Sequence, residues 1–99
     1  MDIELLYVPG CPHRSIARDH LDLALSSMRL SAVIREREVR SSDEATRLGM
    51  RGSPTILIDG MDPFADPREP AGLSCWLYRG EAGLSGAPAV SQLVDALGS

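Results

Sequence analysis

The sequence has little of several features that would place it in a specialised class of protein. It contains 2 cysteines in 99 residues and carries a net charge of −4, with 14 acidic and 10 basic side chains. Disulfide-dense secreted scaffolds contain far more cysteine, and nucleic-acid binders usually carry an excess of Lys and Arg. We therefore expect neither a disulfide framework nor a nucleic-acid partner.

Long apolar runs are also absent. No stretch approaches the ~20 residues of a membrane span, and no basic segment precedes the first apolar run as it would in a signal peptide. The chain has no Gly-x-Gly-x-x-Gly pattern and no phosphate loop. These absences predict a cytoplasmic protein without membrane contact, bound cofactor or resident metal.

The length predicts one domain, over residues 1–99, with a modest core. The apolar pattern and the Pro and Gly breakers predict the element order β-α-β-α-β-β-α. The strands fall at residues 3–8, 31–40, 55–58 and 75–78; the helices fall at 12–28, 41–49 and from Pro88 onward; loops fall at 61–74 and 80–86.

Local signals support several of these elements. Apolar residues recur at helical spacing from Ala17 to Met28. Ser41 and Glu44 have the spacing of a capping box, and Gly49 is a suitable C-terminal stop. Alternating Arg and Glu over residues 35–38 is typical of a solvated edge strand.

The expected architecture is an α/β fold with a four-stranded mixed sheet between helices. A strand, a crossover helix and a second strand make a parallel unit. The strands at 55–58 and 75–78 have no helix between them, so we expect them to be antiparallel. The short chain leaves room only for a shallow groove.

Cys11 stands at the most informative position. It follows the first strand and its Pro9-Gly10 stop, and Pro12 then opens the first helix. At a helix N-terminus, unpaired N–H groups and the helix dipole stabilise a thiolate and lower the pKa of the thiol. His13 and Arg14 add positive charge nearby. This position suits nucleophilic redox chemistry and also capture of a soft metal.

Two motifs in this element order resemble the thioredoxin-like superfamily, in its minimal glutaredoxin-type form. One is Cys11-Pro12-His13-Arg14 after the first strand, and the other is Gly52-Ser53-Pro54-Thr55 before the third. The resemblance implies that Pro54 belongs to a cis-proline loop facing the active thiol. It also implies that Pro12, His13, Ser53, Pro54 and Thr55 border the substrate, which would be a protein disulfide or a small thiol such as glutathione.

The sequence departs from the dithiol pattern at Arg14, which stands where the second cysteine of a Cys-x-x-Cys motif would be. Arg14 keeps a positive charge beside Cys11 but cannot resolve a mixed disulfide. Cys75, at the start of the last predicted strand, is the candidate replacement, and a buried core thiol is the alternative for it. His20, one turn before Ala24, is expected to be structural or on the surface.

Three hypotheses from different classes remain. The first is a thiol-dependent oxidoreductase with Cys11 as nucleophile, Arg14 as thiolate stabiliser, and Cys75 or an external thiol as resolving group. The second is soft-metal or organomercurial handling by Cys11 and Cys75, because the Gly-Cys-Pro segment is also similar to bacterial sequences labelled as related to alkylmercury lyases. The third is a binding module without catalysis on the same scaffold.

Overall fold

The computed structural model describes residues 1–64, 78–80 and 83–98. The elements in chain order are β1 (Asp2–Tyr7), α1 (Arg14–Ser27), β2 (Val33–Glu38), α2 (Ser42–Leu48), β3 (Thr55–Ile58), β4 (Tyr78–Gly80), β5 (Gly83–Ser85) and α3 (Val90–Leu97). Of the predicted features, Cys75 and the loop beyond residue 64 lie outside the described residues.

The main sheet of the described chain has three strands in the order β2-β1-β3. β1 runs parallel to β2, with Leu5 opposite Glu36, and antiparallel to β3, with Leu6 opposite Thr55. The predicted parallel unit is therefore confirmed. Because β3 is antiparallel to β1, it begins at the edge of the sheet where β1 ends.

Side chains of β1 alternate between two cores, as the period of a strand requires. Ile3 and Leu5 are buried with apolar residues of α1 and α3, whereas Leu6 is buried with Ala45 of α2. Helices therefore cover both faces of the sheet. Burying each such Leu or Ile side chain contributes about 1.5–3 kcal/mol to folding.

The ends of α2 agree with the prediction. Ser41 is the N-cap residue, and its Oγ accepts a hydrogen bond from the Glu44 N–H at 3.1 Å. Gly49 closes the helix with φ of 74°, in the left-handed region that glycine adopts readily. Propensity and capping together suffice to place this short helix.

β2 lies at an edge of the sheet, as the alternating charges predicted. Its two faces carry opposite charges. Glu36 pairs with arginines of α1 on one face, whereas Arg37 lies 3.8 Å from Glu44 of α2 on the other.

The prediction of a loop over residues 80–86 is wrong at Gly83–Ser85, which forms β5 and pairs antiparallel with β4. Gly80 and Gly83 are paired across two intervening residues, the spacing of a tight hairpin. The glycines suggested a loop, but they flank a hairpin connection. This hairpin is a two-stranded sheet separate from the main one, so the coarse α/β class is established and a fourth strand in the main sheet is not.

No helix in the described ranges is long and apolar enough to cross a lipid bilayer.

Candidate functional site

A tight turn places Cys11 at the end of β1. The carbonyl oxygen of Val8 accepts a hydrogen bond from the Cys11 N–H at 3.1 Å, with Pro9 and Gly10 between them. Gly10 has φ of 74°, as the third residue of a type II turn requires. Proline is favoured at the second position of this turn, which Pro9 occupies. The Pro-Gly pair therefore does more than end the strand, because it reverses the chain and presents the cysteine.

α1 begins two residues later than predicted. The helix begins at Arg14 with His13 as its N-cap, so the prediction that Pro12 is its first residue is wrong. The Cys11 N–H is already used by the turn, and the first bond of the helix is donated by Ala17 to the His13 carbonyl at 3.0 Å. Cys11 thus precedes the helix rather than capping it.

Cys11 is half-buried, and among the described residues it forms no disulfide. It opens onto a shallow cavity of about 430 Å³ between the first turns of α1 and the edge strand β2. The cavity is lined by Cys11, Arg14, Ser15, Arg18, Asp19 and Glu36.

Arg14, the predicted thiolate stabiliser, lines the same cavity and is held from two sides. Its Nε donates to Glu36 Oε1 at 2.9 Å, and its guanidinium carbon lies 4.0 Å from the centre of the Tyr7 ring. The hydrogen bond to Glu36 raises the pKa of Arg14, partly offset by burial. Arg14 therefore remains a fixed positive charge at the wall beside the thiol.

A part-buried hydrogen bond links the Ser53-Pro54 loop to the Cys11 turn. Ser53 Oγ accepts from the Val8 N–H at 3.0 Å, while the Val8 carbonyl accepts from Cys11. The Ser53–Pro54 peptide bond is cis, the conformation that the resemblance implies. The two motifs singled out from the sequence are therefore neighbours at one edge of the sheet.

The side chains of this loop are themselves enclosed. Ser53, Pro54 and Thr55 are buried, and none of them lines the cavity at Cys11. Of these three residues, Ser53 contacts the Cys11 turn, through the Val8 N–H.

His13 packs inward against the segment that precedes α3. A β-carbon built on Gly86 would overlap the His13 imidazole ring, so the ring lies directly on the backbone there. About two helical turns beyond His13, His20 Nδ1 donates to the carbonyl oxygen of Pro88 at 2.7 Å. The two histidines hold residues 86–88 against α1, which confirms the structural role expected for His20.

Comparison of the chain with protein-family models, curated proteins and solved structures found no match.

Cys75, the predicted resolving thiol, lies outside the described residues, so its distance to Cys11 is not defined. Within the described ranges, no three His, Cys, Asp or Glu side chains come together as a metal site. The cavity at Cys11 thus offers a thiol, a hydroxyl, two guanidinium groups and two carboxylates as its chemical groups.

Sequence reasoning missed Tyr7, Arg18, Glu36 and Gly86. Arg18 follows Arg14 by four residues and shares its helix face, a signal that was available. Glu36 reaches the cavity only because of the register between β2 and β1, which no local pattern specifies.

Proposed function

We propose that this chain is a thiol-dependent oxidoreductase of the thioredoxin-like class, with Cys11 as its nucleophile. The observation that carries the proposal is the placement of Cys11. Its half-buried thiol follows the central strand, precedes an amphipathic helix and opens onto a cavity that also contains Arg14. Reactive cysteines occur at partly exposed positions beside basic side chains, whereas inert ones are enclosed in the core.

The described architecture supports the choice of class. β1 is parallel to β2 and antiparallel to β3, and helices cover both faces of the sheet. The part-buried hydrogen bond from the Val8 N–H to Ser53 connects the second motif to the turn that carries the first. The proposal extends this arrangement to the four-stranded thioredoxin-like sheet.

The proposed reaction is thiol–disulfide exchange. The Cys11 thiolate attacks one sulfur of a substrate disulfide, whose S–S bond breaks while a mixed disulfide with Cys11 forms. The departing thiolate takes a proton from water. A second thiolate then attacks the mixed disulfide, forms a new disulfide and releases Cys11 as thiolate.

Because Arg14 occupies the position of the second cysteine of a Cys-x-x-Cys motif, Cys11 is the single thiol of this motif. The second thiolate therefore comes from glutathione or a similar small thiol, or from Cys75. The substrates are a protein disulfide or a mixed disulfide of a small thiol. The proposal places the protein in the cytoplasm, where such thiols are kept reduced.

The test is turnover of the cysteine–glutathione mixed disulfide with glutathione as reductant. Formation of glutathione disulfide is followed through NADPH oxidation by glutathione reductase. We expect catalysis by the intact chain and its loss in Cys11→Ser. Cys75→Ser is the matched control, since it removes the other thiol.

Activity retained in Cys75→Ser would assign the resolving step to the external thiol, and activity lost there would assign it to Cys75. A chain that gives no rate above the uncatalysed exchange, or equal rates in the intact chain and in Cys11→Ser, would contradict the proposal.

A further inference from the structure

The cavity at Cys11 contains an internal carboxylate bound by two arginines. Glu36 Oε1 accepts from Arg14 Nε at 2.9 Å, and Glu36 Oε2 accepts from Arg18 Nη1 at 3.1 Å. Each oxygen of one carboxylate is thus paired with a different guanidinium. This is how an arginine pair would hold a carboxylate ligand.

The two arginines keep capacity for a second anion. A guanidinium has five N–H donors, and in the described part of the chain Arg14 uses only its Nε–H. Arg14 and Arg18 side chains are 44% and 36% exposed, respectively, and both residues line the cavity. The Tyr7 ring beneath Arg14 limits the motion of its planar group.

The cavity lining holds two acidic side chains, Asp19 and Glu36, for its two basic ones. Arg18 also pairs with Asp22 at 3.3 Å, and Asp19 lies on the cavity wall. Arg14 has Glu36 as its single acidic partner among the described residues. We therefore expect a preference of several-fold for an anion and not absolute selectivity.

We propose that Arg14, with Arg18, binds a carboxylate of the substrate thiol or disulfide beside Cys11, and that Glu36 is the counter-ion which this carboxylate partly replaces. The inference rests on the proposed function of Cys11, and it adds the charge class of the substrate. Arg14 and Arg18 are then specificity-determining residues, and Glu36 is a positioning residue that holds them at the cavity wall.

The first experiment compares alkylation of Cys11 by iodoacetate, which is anionic, and by iodoacetamide, which is neutral. In both reactions the thiolate displaces iodide and an S–C bond forms. Both rate constants are proportional to the fraction of Cys11 in the thiolate form, so their ratio is independent of that fraction. The rates are read by mass spectrometry of the peptide that contains Cys11, in the intact chain. 2-Mercaptoethanol, an uncharged small thiol, provides the reference ratio.

We expect the iodoacetate-to-iodoacetamide ratio at Cys11 to exceed the reference at least threefold. Arg14→Gln and Arg18→Gln should each lower the ratio, whereas Glu36→Gln should raise it. Arg47→Gln is the matched control, because it removes one positive charge from an exposed position on α2 outside the cavity. Added salt should bring the ratio toward the reference through screening.

The second experiment measures turnover of two disulfides that differ in charge, 3,3′-dithiodipropionate and 2-hydroxyethyl disulfide. Arg14→Gln should raise KM for the anionic disulfide several-fold more than KM for the neutral one, so the ratio of the two KM values is the readout. A general structural defect would affect both substrates alike. Circular dichroism of each variant verifies that it folds.

A ratio at Cys11 equal to the reference and insensitive to Arg14→Gln and Glu36→Gln would overturn this inference, while turnover through Cys11 would leave the proposed function intact. Failure of both reagents to modify Cys11 in the folded chain would instead contradict the proposed function.

Discussion

The hydroxyl of Ser53 accepts a hydrogen bond from the backbone N–H of Val8 at 3.0 Å, across 45 positions of the chain. The carbonyl oxygen of the same Val8 accepts a hydrogen bond from the Cys11 N–H, so Val8 links Ser53 to Cys11. Ser53 is fully buried, so water cannot take its place without rearrangement. The position of the thiol therefore depends on a side chain in a distant loop.

Replacement of Ser53 by Ala should lower the free energy of unfolding by about 1–2 kcal/mol, because the Val8 N–H loses its acceptor in a part-buried site. Urea denaturation measures this change, and amide hydrogen exchange at Val8 should accelerate beyond the global effect. Ser26→Ala, on the exposed side of α1, is the control and should change stability by less than about 0.5 kcal/mol. Equal stabilities of the Ser53 and Ser26 variants would show that the Val8 bond contributes little.

Gly86→Ala should destabilise the fold by about 1–3 kcal/mol, because the added methyl group overlaps the ring of His13. Gly86 does not have a positive φ, so the cost comes from the overlap and not from the backbone. In a His13→Ala background the same change should cost much less, and a double-mutant cycle by urea denaturation gives the coupling. An equal loss of stability with and without the His13 ring would contradict the contact between that ring and Gly86.

Asp62→Asn should stabilise the protein at neutral pH. Burial raises the pKa of Asp62, and the Phe64 N–H and Arg51 offset this only in part. A carboxyl whose folded pKa exceeds its unfolded value, about 3.9, contributes stability below that value and loses it as pH rises through the folded pKa. The neutral amide avoids this loss and keeps an oxygen for the Phe64 N–H.

The expected gain for Asp62→Asn is less than about 1 kcal/mol at pH 7, since the carboxylate keeps partial access to water. The difference in urea midpoint between variant and wild type should shrink as pH is lowered from 7 toward 4.5. A variant less stable than wild type at pH 7 would mean that attraction to Arg51 outweighs the desolvation of Asp62.

Local chemistry predicted the elements whose ends carry their own signals. The Ser41 cap and the terminal Gly49 predicted the bounds of α2. The β-branched run closed by Asp59-Gly60 predicted β3. The Pro9-Gly10 stop also predicted the position of Cys11. These features depend on residues within a few positions of each other, so the sequence alone contains the information.

Features that depend on distant parts of the chain were not predictable in the same way. Pro12 is a good first helical residue, but the helix begins at Arg14, after a turn closed by the bond from the Cys11 N–H to Val8. Glu36 is one of several charged residues on β2, and only the register between β2 and β1 places it at the cavity. The inward packing of His13 similarly depends on Gly86, more than seventy positions away.

The alternating charges of β2 also bear on how two copies of the chain could associate. Extending the sheet by antiparallel pairing of two β2 strands requires a two-fold axis perpendicular to the sheet, which keeps each face continuous with the same face of the second copy. Arg35 and Arg37 share one face and Glu36 and Glu38 the other, so no such register sets an arginine directly opposite a glutamate, and registers that align these four residues oppose like charges. Directly opposed like charges destabilise strand pairs. In the part of the chain that the structure describes, the β2 edge beside the cavity at Cys11 thus has a charge pattern that disfavours growth into a continuous intermolecular sheet.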